Sequence, residues 1–384
     1  MTTAADGDRG RLTSLATRRL ASVLDDSREL IGCESPSSDR AAVARSAEVV
    51  AAIGSETIGV TGDIVVTGEA THVRFRFGRG RPRLLLVGHH DTVFPLGTLA
   101  ARPWSVVDGL VRGPGCVDMK VGIAQGFHAL AMLVGLGVDL DGVTFLLTGD
   151  EELGSLDSRP LIEAEARECA AVLVLEGSAS GAAIKTGRKG TSRYTVEVAG
   201  RAAHAGVEPR KGANATVELA TQILAVAALN EFGATTVTPT LVSGGTSRNT
   251  VPDRATLEVD VRAWTAAEQD RVDRAMRHLS PGDADCTVTV IGGPDRPPME
   301  PGQAAGLFAI AQQVARREGL PDLREVSVGG ASDGNFTAAI GVPTLDGLGA
   351  VGGDAHAAGE YVRLDAIVPR TALLAGLVEA LVER

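Results

Sequence analysis

The sequence is short of several features that mark common protein classes. It has four cysteines, Cys33, Cys116, Cys169 and Cys286, with no paired spacing among them. A reduced chain without structural disulfides is the simplest account. It has no run of Lys or Arg, and its 37 basic residues are outnumbered by 48 acidic ones, for a net charge of −11. That balance argues against a nucleic-acid or anionic-membrane surface. The opening MTTAADGDRGRLTS is polar without an apolar centre, so no signal peptide and a cytoplasmic location are expected. Apolar stretches are broken by Gly or charge before the roughly 20 residues a membrane span needs. Internal repeats and low-complexity segments are also missing.

What is present is a globular composition, 44% hydrophobic and 22% charged, over 384 residues. That length is too great for one ordinary domain and implies two. The most informative stretch is Leu84-Leu85-Leu86-Val87-Gly88-His89-His90-Asp91. Four apolar residues in a row read as a strand buried on both faces, and the strand ends in His89 and Asp91. Residues two apart in extended chain point the same way, so Asp91 can orient a metal-ligating His89. A loop histidine capped by an aspartate fits this stretch equally well.

Two further buried strands end similarly. Residues 143–147 run into Gly149-Asp150-Glu151-Glu152, and residues 171–175 into Glu176. With a helical segment expected after each, this is the βα pattern of a sheet flanked by helices. Surface helices are expected over 10–31 and 38–53, a hairpin over 64–77, and a long apolar helix over 121–136, entered by the turn-rich loop Gly113 to Lys120. From about residue 188 the character changes. Strands over 192–198, 236–242, 254–262 and 286–291 alternate with helices over 213–230 and 265–279, as in a small α+β insert with one helical face. Prolines at 294, 297, 298 and 301 mark the return to the first domain, which closes with helices over 303–318 and 364–383. The expected class is therefore α/β. A helix-flanked mixed sheet forms one domain, residues 1–187 and 298–384, and residues 188–297 form a smaller ferredoxin-like α+β insert.

The acidic and histidine strand ends, with Asp118 and His356 from the glycine-rich loops, make a donor set of two imidazoles and three carboxylates: His89, Asp118, Glu152, Glu176 and His356. Such a set suits zinc in a hydrolytic site, or Mn or Co. Five ligands suit two ions about 3.5–4 Å apart that share a carboxylate, a pair able to lower the pKa of water from 15.7 toward about 7. The water needs a base, and Glu151 beside Glu152 is the natural one. Any one of these acids alone reads better as a solvated loop carboxylate; the set together reads as a metal site. Cys116 has no His/Asn partner pattern for a thiol nucleophile, and Gly113-Pro114-Gly115 is too weak for a nucleotide loop.

Eight segments then match one family in order: Gly88–Val93, Gly113–Lys120, Thr148–Ser155, Leu175-Glu176, Gly200–Gly206, Asn249–Pro252, Asp260–Arg262 and Asp354–His356. On these the chain resembles the dinuclear-zinc aminoacylase/carboxypeptidase family, which includes acetylornithine deacetylases, succinyl-diaminopimelate desuccinylases and dipeptidases. It looks most like the family's bacterial glutamate carboxypeptidases. The resemblance spans roughly residues 80–384 and is weaker before that.

It implies two zinc ions per chain, with cobalt or manganese as substitutes. Asp118 would bridge them, His89 and Glu176 would hold one, and Glu152 and His356 the other. Asp91 would back His89, and Glu151 would be the base. The insert would be a lid through which the chain forms a homodimer. His204 on it would stabilise the oxyanion in the partner's site, while Asn249 and Arg262 would hold the substrate's carbonyl and carboxylate. A cis peptide is expected at Asp118–Met119.

From the residues themselves, a surface role for His204 and a salt bridge from Arg262 to Asp260 or Glu258 stay open. Two positions depart from the family's usual residues, Gly177 after Glu176 and Ala357 after His356. The expected activity is amide hydrolysis of a small peptide or N-acyl amino acid bearing a carboxylate. Glutamate carboxypeptidase is the leading reading and N-acyl deacylase the alternative. A catalytically silent dimeric binding protein is the reading from outside enzymology.

Overall fold

A computed structural model describes residues 10–383. The chain falls into two units. One comprises the chain through Gly187 with Pro301–Val328 and the segment from Ser332 onward; the other comprises Arg188–Glu300 with Gly329–Ala331. The cut thus lies three residues beyond the expected 297/298, and a short strip of the glycine-rich segment joins the second unit.

The first unit is built on a six-stranded sheet. Its strands are β1 (Gly62–Thr67), β2 (Ala70–Arg76), β3 (Leu84–His89), β4 (Val143–Thr148), β5 (Ala171–Val174) and β6 (Thr344–Leu345), in the order β1-β2-β4-β3-β5-β6. β1 and β2 are antiparallel, and β2 runs antiparallel to β4. From β4 onward neighbours are parallel. β3, β4 and β5 are buried along their whole length, as continuous apolar runs in a covered parallel sheet must be. The helices α1 (Arg11–Gly32), α2 (Arg40–Ile58), α3 (Val121–Gly135) and α4 (Leu364–Val382) belong to this unit.

Every residue from Val121 to Leu133 of α3 is buried. Phe127 on α3 stands edge-on to Phe75 at 5.3 Å and to Phe145 at 5.5 Å, anchoring the helix to β2 and β4. Together with the turn before it, α3 forms a 20-residue apolar stretch, Cys116–Gly135, long and apolar enough to cross a membrane. This corrects the expectation that no such run exists. The stretch is 89% buried inside the protein, which is how a core helix behaves.

The expected βα rhythm fails after β5. The chain passes instead into a single short turn, Ser180–Ala182, and a strand, Ile184–Arg188. Here it leaves the first unit, so no helix is needed to return it to the sheet.

The second unit runs strand, helix, strand, strand, helix, strand: 190–199, 215–227, 235–244, 254–263, 266–277 and 287–296. The strands lie in the spatial order second, third, first, fourth, all antiparallel, which is the ferredoxin-like arrangement. Leu219, Val226, Val272 and Met276 of the two helices pack on Tyr194, Val196, Leu257 and Val259 of the sheet, giving the unit its own core.

Candidate metal centre

Parallel strands deliver their last residues to one edge of the sheet, where ligand sites of α/β proteins form. β3 ends at His89, β4 at Thr148 just before the turn Glu151–Leu153, and β5 at Val174 just before Glu176. The Leu175 carbonyl is flanked so closely that a Cβ on Gly122 would stand 2.5 Å from it and one on Gly349 2.0 Å. Only glycine allows that approach, which fixes where Glu176 emerges.

The side chains converge. Nε2 of His89 lies 3.0 Å from Oδ1 of Asp118 and 3.5 Å from Oε1 of Glu176. Nε2 of His356 lies 3.1 Å from Oδ2 of Asp118 and 3.0 Å from Oε1 of Glu152. Asp118 therefore turns one oxygen to each histidine. Ligand atoms of His89, Asp118 and Glu152 lie within 4.8 Å of one another, as do those of His89, Glu151 and Glu176. His356, with φ 64°, and Asp354, with φ 56°, both adopt the left-handed conformation that L residues rarely take, and such residues cluster at functional sites. The peptide bond Asp118–Met119 is cis.

Asp91 does more than the sequence implied. The backbone carbonyl of Asp91 accepts from Nδ1 of His89 at 3.1 Å, and one carboxylate oxygen lies 3.5 Å from the same nitrogen. This places the imidazole proton on Nδ1 and turns the Nε2 lone pair inward. The same carboxylate accepts the amide N–H groups of Glu151 at 3.3 Å and Glu152 at 3.2 Å, pinning the turn that bears both. Sequence spacing gave no hint of this, because the partners are backbone amides sixty residues away.

A second buried carboxylate was missed altogether. Glu360 accepts the amides of Gly115 and Val117, both at 2.8 Å, and of Asp118 at 3.1 Å. Burial raises its carboxyl to about 7, although the three amide bonds pull it down. His90 points away, as strand alternation requires, to Ser46 Oγ and the Thr71 carbonyl. Burial drives it down to about 3, so it is a neutral core histidine.

The electrostatics fit cations. Hydrogen bonds to Asp118 and Glu152 raise the His356 imidazole to about 10. Burial disfavours charge on His89, yet contacts with Asp118, Asp91 and Glu176 outweigh it and hold its pKa well above the ordinary value. Burial works likewise against charge on Asp118, but the two histidines hold its carboxyl well below the carboxylate range. Five carboxylates and two imidazoles thus form a pocket that draws positive charge, with nitrogen and oxygen donors only, and two divalent ions suit it.

The description of peptidase family M20/M25/M40 matches residues 85–380. The chain belongs to this family. Among M20 relatives it is 33% identical over 311 residues to carboxypeptidase G2 of Pseudomonas sp. (strain RS-16), covering 78% of this chain and 74% of that one. It is 29% identical over 344 residues to succinyl-diaminopimelate desuccinylase of Phenylobacterium zucineum (strain HLK1), covering 81% and 86%. The fold is that of a Bacillus subtilis protein described as a dinuclear metal-binding peptidase from the M20 family, with a TM-score of 0.69 and 17% identity over 96% of this chain and 99% of that one. It is shared too with aminopeptidase PepT of Bacillus cereus, TM-score 0.76 and 19% identity, over 95% and 99%. The M20 chain is a hydrolase.

The remaining expected residues lie in the second unit. His204 and Thr250 pair across a two-stranded ribbon, and the Ala205 amide donates to the Asn249 carbonyl at 2.9 Å, so His204 and Asn249 are neighbours. Nδ1 of His204 accepts the amides of Gly206 and Val207 at 3.1 and 3.0 Å, leaving the proton of a neutral ring on Nε2. Arg262 grips the Asp260 carboxylate through Nε and Nη2 at 2.9 Å each, the salt bridge left open by the sequence.

Proposed function

We propose that this M20 hydrolase is a glutamate carboxypeptidase that cleaves a C-terminal amide bond with two bound divalent ions. The observation that carries the reading is the position of Asp118, one oxygen facing His89 and the other His356. In this reading His89 and Glu176 would hold one ion and Glu152 and His356 the other, with Asp118 available to both. Two zinc ions there, or cobalt or manganese in their place, would polarise the scissile carbonyl and make a water acidic enough to lose its proton near neutral pH. Glu151 would take that proton as general base while the water oxygen adds to the scissile carbonyl carbon, and would return it to the nitrogen as the C–N bond breaks, leaving a carboxylate and a free amine. Asp91 holds His89 and the Glu151 turn in register through the bonds described above.

From the second unit we assign the Nε2–H of His204 to the developing oxyanion in the partner subunit's site, Asn249 to the substrate carbonyl and Arg262 to its carboxylate. Asp260 holds the Nε–Nη2 edge of the Arg262 guanidinium, so the substrate carboxylate would be met by the Nη1 side. We also propose a homodimer through this unit. In support, Val217 and Leu224 of helix 215–227 are 64% and 73% exposed, and Leu241 of the edge strand 235–244 is 69% exposed. Such an edge invites pairing with a second copy, and a monomer by light scattering contradicts that assignment. The four free thiols, three of them buried, fit a reducing cytoplasm.

The test is a hydrolysis screen of the zinc-loaded protein against C-terminal glutamyl peptides and N-acyl amino acids. Release of C-terminal glutamate is expected. Turnover of N-succinyl or N-acetyl substrates alone moves the assignment to a deacylase, the activity named for the desuccinylase relatives. Substrate binding without turnover at full metal loading leaves a binding protein.

A further inference from the structure

Three of the five proposed ligands have evident supports: His89 ends β3, Glu176 follows the glycine-flanked Leu175, and Glu152 hangs by its amide from Asp91. Asp118 sits in an irregular turn, and its support is Glu360. His356 belongs to the loop Gly352–Gly359, which strand pairing holds only at its ends. Gly352 and Gly353 pair with Val362 and Tyr361, and Tyr361–Arg363 with Leu110–Arg112. Between them two tight turns, Ala357 to the Asp354 carbonyl at 3.0 Å and Glu360 to the Ala357 carbonyl at 3.2 Å, connect His356 to Glu360.

We propose that Glu360 is a positioning residue that fixes Asp118 and His356 in a common frame and so makes the binding of the second cation, the one shared by Asp118, Glu152 and His356, tighter. The geometry is that of a filled anion nest. Gly115, with φ 73°, turns three backbone N–H groups toward one point, a concavity that elsewhere holds phosphate. Here both oxygens of a 2% exposed carboxylate fill it, Oε2 on Gly115 and Oε1 on Val117 and Asp118. The carboxylate stands four residues beyond His356, so the chain that presents the histidine is moored to the amide of the bridging aspartate. The first cation's other ligands, His89 and Glu176, come from strand ends that Glu360 does not touch. Loss of Glu360 therefore has an unequal effect on the two sites.

The inference rests on the two-cation reading above. Its test is titration of the metal-depleted full-length chain with Co2+, followed by calorimetry and by visible absorbance, in the wild type and in Glu360→Gln. Gln keeps the volume but turns one oxygen into a donor that faces N–H groups. The wild type is expected to take up two ions. In Glu360→Gln the first step stays within about threefold, and the second weakens by about 10- to 100-fold, the range for losing a partner that orients ligands. Excess cobalt restores kcat with KM unchanged. Glu360→Asp, charged but one methylene shorter, falls between the two and carries the comparison if the Gln variant does not fold. Equal affinities in wild type and variant overturn the proposal. So does equal weakening of both steps with a lowered Tm of the metal-free protein, which marks a merely structural residue. A wild type that binds fewer than two ions overturns the two-cation reading itself.

Discussion

Glu151→Gln lowers kcat by about 10²- to 10⁴-fold, the usual contribution of a general base, and leaves metal content and KM nearly unchanged. The substitution keeps shape and removes only the ability to take a proton. The Glu151 amide stays bonded to Asp91, so the turn and its neighbour Glu152 keep their places. The competing role is visible in the geometry, because a Glu151 oxygen lies within 4.8 Å of ligand atoms of His89 and Glu176. If Glu151 were itself a ligand, the variant would lose an ion along with its activity. Metal analysis beside kcat thus separates base from ligand, and a variant with wild-type kcat removes Glu151 from the chemistry.

Asp118→Ala is expected to cost more metal than any other single replacement. Its two oxygens stand 3.0 Å from the nitrogen of His89 and 3.1 Å from that of His356, so one truncation takes a donor from both sites. It also leaves Glu152, Glu176, Asp91 and Glu151 as a crowd of carboxylates with less positive charge to offset them. Affinity at both sites should fall by more than about 100-fold, beyond what an orienting partner contributes, and activity should drop to background. Glu176→Ala and Glu152→Ala each touch one side and should each release one ion. Retention of one ion at wild-type affinity in Asp118→Ala contradicts bridging.

Much of this site was legible in the sequence because strand burial and strand chemistry coincide in it. Apolar runs such as 84–87 and 143–147 suit interior strands, and in a parallel sheet the polar residues that close them gather at one edge. The ligand types followed directly. Their pairing came from the family resemblance and not from spacing: His356 meets Glu152 across 204 residues, and spacing carries no information at that range. The segment Gly113–Lys120 read as a turn-rich loop, and it forms a tight turn at Cys116–Lys120 with the expected cis bond inside it. Glu360 stayed hidden because its partners are backbone N–H groups, which every residue but proline possesses. The absent helix after β5 shows the limit of pattern reading where a chain leaves one unit for another. At Arg262 both the carboxylate-binding role and the Asp260 salt bridge were readable, and only coordinates show the fork occupied by Asp260.

The most direct measurement is anomalous diffraction at the zinc edge from crystals of the zinc-loaded protein. Two peaks are predicted about 3.5–4 Å apart, one bordered by His89 and Glu176, the other by Glu152 and His356, with Asp118 between them. A single peak, or zinc bound away from Asp118, contradicts the account.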